Sequence, residues 1–113
     1  MIAKEITIKG KTYPIVFNMK AIISFEEIMG TSFFGAKLAT LKEQLTIVFS
    51  DMLAADEKAA LTIDNLMNCE NFEEFKEIQT AFAAVMELAT AFFNIPEIEK
   101  DKLPKKGKGK GKN

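Results

Sequence analysis

Between Ile6 and Phe17, apolar side chains fall on every second residue: Ile6 and Ile8 before Gly10, then Tyr13, Ile15 and Phe17 after it. This is the two-residue period of a half-buried strand pair. A two-residue loop, either Lys9-Gly10 or Gly10-Lys11, keeps all five on one face, whereas a three-residue loop would split them. Pro14 then belongs on an edge strand or beside a bulge. An isolated two-stranded hairpin is marginal in water, so this face must lie on something, and everything downstream reads as helix. The expected fold is α+β, mainly α, with an N-terminal β-hairpin packed on a small bundle of about three to four helices.

Asn18 suits the N-cap of a first helix, in which Ala21, Ile22, Phe25, Ile28 and Met29 recur at helical spacing before Gly30 stops it. Thr31 to Gly35 form a connection bearing Phe33 and Phe34. Leu38, Leu41, Leu45, Val48 and Met52 then predict an amphipathic helix over about 36–55; Ile47 falls opposite this stripe and reads as an exposed apolar residue. Asp56 begins a short helical turn through Leu61, and Thr62 caps another carrying Ile63, Leu66 and Met67. Asn71 and Glu74 form a capping box in its amide form. It opens the longest helix, through Phe75, Ile78, Phe82, Val85, Met86, Ala89 and Phe93. Pro96 ends that helix, with Asn94 suited to a left-handed cap.

Charge is segregated. Residues 1–99 carry 15 acids and 8 lysines, while residues 100–113 carry 7 lysines and 1 acid, so an acidic body (1–99) bears a basic tail (100–113). The tail holds Lys105, Lys106, Lys108, Lys110 and Lys112 among glycines, with no side chain that could build a core, and is expected to be flexible and disordered. Such a string would bind nucleic acid weakly and without sequence preference; a solubilising tail attracted to its own acidic body is the plainer reading. A single cysteine, Cys69, and no signal-like opening fit a reducing cytoplasm. The apolar run Ala81–Phe93 is too short to cross a bilayer.

The chain has no histidine, arginine or tryptophan. Cys69 therefore has no imidazole to activate it and reads as a small, partly buried apolar residue. Glu26-Glu27 and Glu73-Glu74 are adjacent on their helices and do not face one another. No glycine-rich phosphate loop or metal-ligand set can be assembled, so no enzyme, cofactor or metal site is expected. What the sequence has in surplus is aromatic surface. Of the adjacent Phe33 and Phe34, one ring packs and the other either covers a helix end or anchors a partner. From Ala81 onward the last helix is apolar nearly all round, which asks for burial through the centre of the domain. Alternatively Leu88 and Phe92, off its main stripe, and Phe93 at its end dock on another subunit or a partner.

The stretch Ile6-Thr7-Ile8-Lys9-Gly10-Lys11-Thr12-Tyr13-Pro14-Ile15-Val16-Phe17, the helix Met19 to Met29 and Gly30-Thr31-Ser32-Phe33-Phe34 together resemble the small tail assembly chaperones of long-tailed bacteriophages and prophages. The likeness runs through the Thr62 region and the last helix as element order and apolar spacing. It implies a non-enzymatic protein of the host cytoplasm that binds the long, helical, hydrophobic tape-measure protein, keeps it soluble, self-associates and helps recruit tail-tube subunits. It also implies a longer product made by a minus-one frameshift, for which Lys105-Lys106 and the Gly-Lys steps would be suitable coding; the nucleotide sequence decides this. The alternatives are a nucleic-acid accessory protein using its lysine tail, or a minor structural subunit of the particle.

Overall fold

The computed structural model describes residues 3–94; the boundary at 99 and the lysine tail lie outside the described residues. Strands β1 (Ala3–Ile8) and β2 (Lys11–Val16) pair antiparallel, with Ile6 opposite Tyr13 and Ile8 opposite Lys11. The loop is Lys9-Gly10, and both residues have positive φ, 53° and 81°, as the turn that matches strand twist requires. Lys9 accepts this strained conformation while its backbone N–H donates to Glu77 Oε1 (2.8 Å) and its Nζ to the Asn68 carbonyl (2.7 Å). A Lys4–Glu87 ion pair at 3.0 Å holds the other end of β1. The expected face forms: Ile6, Ile8, Tyr13, Ile15 and Phe17 are all buried. Counting the antiparallel alternation from the loop puts Pro14, opposite Glu5, at a position that makes no ladder hydrogen bond.

Helix α1 (Met19–Met29) starts where Asn18 Oδ1 accepts from the Ala21 N–H and stops at Gly30, whose φ is 71°. Ala21, Ile22 and Phe25 face inward, but Ile28 is exposed. After a single 3-10 turn, Phe33–Gly35, helix α2 (Leu41–Ala55) begins five residues later than its apolar spacing predicts. The cause is local. Thr40 and Glu43 form a reciprocal capping box, and Leu38 has left-handed backbone, φ 53°, incompatible with a helix running through it. Thr40→Ala should therefore cost about 1 kcal/mol in a urea melt.

Asp56 begins a single turn, as expected, shorter than its predicted end at Leu61: its carbonyl accepts from the Ala59 and Ala60 N–H groups, both at 3.1 Å, and its carboxylate from the Lys58 and Ala59 N–H groups. Thr62 caps the short α3 (Ile63–Met67) as expected. In α4 (Phe72–Phe92), Asn71 Oδ1 receives the Glu74 N–H, but the Glu74 carboxylate turns to the Glu70 N–H instead of completing the box. The helix closes at Phe93 without a left-handed cap (φ −92°).

The helix at the centre is α2, not the second half of α4. It lies against α1, β2, α3 and α4, and seven of its residues are buried around the helix: Leu45, Thr46, Ile47, Val48, Ser50, Asp51 and Met52. Ile47 is thus core, contrary to its placement by the stripe, while Leu41, counted in the stripe, is exposed. α4 is one-sided despite its composition: Ala81, Val85, Leu88 and Ala89 are buried, and Ala83, Thr90 and Ala91 are exposed. Among the described residues no helix is long and apolar enough to cross a membrane.

Candidate partner-binding surface

Two pairs of phenylalanines singled out at opposite ends of the chain meet in space. Gly30 turns the chain out of α1 and Ser32 Oγ caps the 3-10 turn. The Phe33 N–H donates to Glu26 Oε2 at 2.9 Å, fixing the turn against α1. Phe33 then points inward, edge-on to the fully buried Phe25 (5.5 Å, 86°). Phe34 points outward and is 71% exposed. The end of α4 brings Phe92 and Phe93 to the same place. Phe93 lies 5.8 Å from Phe34 and stacks on Phe33 at 6.3 Å, and Phe92 meets Phe17 edge-on at 5.3 Å.

The result is one six-ring cluster. Phe17, Phe25 and Phe33 root it in the core, and Phe34, Phe92 (46% exposed) and Phe93 (41% exposed) form its outer surface. Rings in these tilted and edge-on contacts hold one another in place, so the outer rings are presented on a rigid base. A contiguous aromatic surface of this kind is the usual signature of a contact site, where scattered exposed apolar residues are not.

The candidate set needs two corrections. Leu88 is 3% exposed and belongs to the core, because the face of α4 it occupies looks into the domain. Phe33 is also buried, so it supports the surface from beneath, and Phe34 is the exposed ring of the pair, a division that both readings of Phe33-Phe34 share. Phe17 and Phe25 complete the cluster from below. Lys105, Lys106, Lys108, Lys110 and Lys112 lie outside the described residues. Cys69 is half-buried, its thiol donating to the Asn71 carbonyl at 3.2 Å.

One group had no counterpart in the sequence reading. Asp51 is wholly buried in α2, and neither carboxylate oxygen has a hydrogen-bond partner among the described residues; the Thr46 hydroxyl is likewise unpaired. Ser50 Oγ donates back to the Thr46 carbonyl at 2.8 Å. Burial without a partner disfavours the charged carboxylate and pushes the Asp51 pKa up to about 9. At neutral pH it is therefore a neutral acid inside the core, away from any cluster that could hold a metal, of which there is none among the described residues. Set against protein-family models, curated proteins and solved structures, the chain matches none of them.

Proposed function

We propose that this chain is a holding protein that acts by contact and catalyses nothing. It covers the apolar face of a long helical tape-measure protein in a bacterial cytoplasm during phage tail assembly, keeping it soluble until tail-tube subunits are recruited. The observation that supports this reading is the convergence of Phe34 with Phe92 and Phe93, which lie 58 and 59 residues further along the chain, on one exposed aromatic surface seated on buried rings. An aromatic anchor of this type takes most of its binding energy from a few rings that become fully desolvated on contact. Methionines exposed elsewhere, such as Met19 and Met67, tolerate imperfect partners.

The test is co-expression with a tape-measure protein encoded beside this chain. The wild type should raise the soluble fraction of that partner, and a Phe34→Ser/Phe93→Ser double variant should fail to do so while its own melting temperature stays near that of the wild type. Equal rescue by the double variant, or no rescue by the wild type, removes the proposal.

A further inference from the structure

A second apolar surface lies at the other end of α4. Leu41 and Leu45 of α2, Leu66 and Met67 of α3, and Phe75 and Ile78 of α4 line an open groove of about 340 Å³, with Cys69 in its wall. Leu41 and Met67 are exposed, and Phe72, stacked on Phe75 at 6.2 Å, is 68% exposed. Lys42 is the one charged side chain in the lining, and it has no ion pair among the described residues.

The groove and the aromatic surface share one side of α4. Phe75 and Phe93 are 18 residues apart, five helical turns, so they project in the same direction roughly 27 Å apart. Between them Gln79, Phe82 and Met86 fall on the same line, and all three are half-buried. A track thus runs from the groove to the aromatic end, apolar at Phe82 and Met86 and polar at Gln79, whose Nε2 donates to Gln44 Oε1 at 3.5 Å.

We infer that this track receives a single amphipathic helix of a partner, anchored at both ends about five turns apart, with an acidic residue beside the anchor that enters the groove. The inference rests on the proposed function and specifies how the partner is held. A helix fits because it satisfies its own backbone groups, whereas an extended segment would set unpaired N–H and C=O groups against Phe82 and Met86. An acidic neighbour follows from Lys42, a cation on the edge of an otherwise apolar site. Two anchors on one rigid rod make the second contact intramolecular, so their effects on affinity multiply.

The probe is a synthetic amphipathic peptide of about 22 residues, with leucines in heptad spacing and a glutamate beside each terminal leucine. Its control has the same length with the leucines of one end changed to serine. Two readouts are taken on the full chain: peptide affinity by anisotropy, and the alkylation rate of Cys69, the only thiol and part of the groove wall. The full peptide should bind and slow alkylation in proportion to the fraction bound. The control, and the surface variants Met67→Asp and Phe93→Asp, should each bind about tenfold or more weakly, and Lys42→Glu should favour a peptide with lysine in place of glutamate. Melting curves check that the variants stay folded. Unchanged alkylation with peptide bound, full affinity in Met67→Asp, or no binding of the peptide would each overturn the inference. Co-expression rescue that depends on Phe34 and Phe93 would leave the proposed function standing in any of those cases.

Discussion

Between pH 5 and 8 the folding equilibrium constant should fall about tenfold for each unit of pH, and Asp51→Asn should abolish that slope. An aspartate in the unfolded chain titrates near 3.8, but in the fold burial raises its pKa to about 9. Between those values the folded protein holds one proton more than the unfolded chain, so raising the pH favours unfolding. The contribution is complete below the unfolded value and is lost as pH rises through the folded one. Continued to pH 9, the loss becomes comparable with the whole stability of a domain this size. Glu43 has the opposite sign: its pKa is lowered by the backbone N–H of Thr40 first of all, so what it adds is present above its ordinary range near 4.5 and lost as pH falls below it. That window lies under pH 5 and leaves the interval to Asp51. Urea melts of both proteins at pH 5, 6, 7 and 8 measure the effect. A flat wild-type profile, or the same slope in Asp51→Asn, would show that the carboxyl is solvated or paired.

Phe25→Ala should cost about 3–5 kcal/mol, since the ring is wholly buried between α1 and the turn that carries Phe33. Phe34→Ser, one ring further out in the same cluster, should change stability by no more than about 0.5 kcal/mol. The gradient from inner to outer ring separates the packed core from the exposed rings above it. It also predicts a knock-on effect: Phe33 rests on Phe25 and supports Phe93 by stacking, so removing Phe25 should weaken partner binding even where the variant remains folded. Denaturant melts give the first quantity, and co-expression rescue at low temperature the second. Equal costs for the two variants would mean that the rings are not layered in this way.

Much of the fold was legible because it depends on neighbours in sequence. Parity around Gly10 determined which hairpin residues share a face, and Asn18, Gly30, Thr62 and Asn71 marked helix ends by their own chemistry. The start of α2 was also written locally, in Thr40 and Glu43, but Leu38 extended the apolar spacing past it and hid the break. Ile47 was misplaced for a different reason. Stripe reasoning assumes one buried face, and α2 has elements packed on several sides, so even Thr46, Ser50 and Asp51 are enclosed. Composition pointed to α4 as the central helix, yet which helix others surround is settled by tertiary packing. Phe33-Phe34 and Phe92-Phe93 could each be recognised as unusual; that they adjoin could not.

A ribbon of two strands has two open margins, each able to template another chain's backbone, which is a hazard for a chain that also carries exposed aromatic rings. Here both margins are blunted. Pro14 removes an amide from the outer side of β2, and Lys4, Glu5 and Lys11 surround the strands with charge that any incoming strand would have to desolvate. Stickiness is thereby confined to rings and methyls, which let go, and withheld from the main chain, whose ladders grow into fibrils.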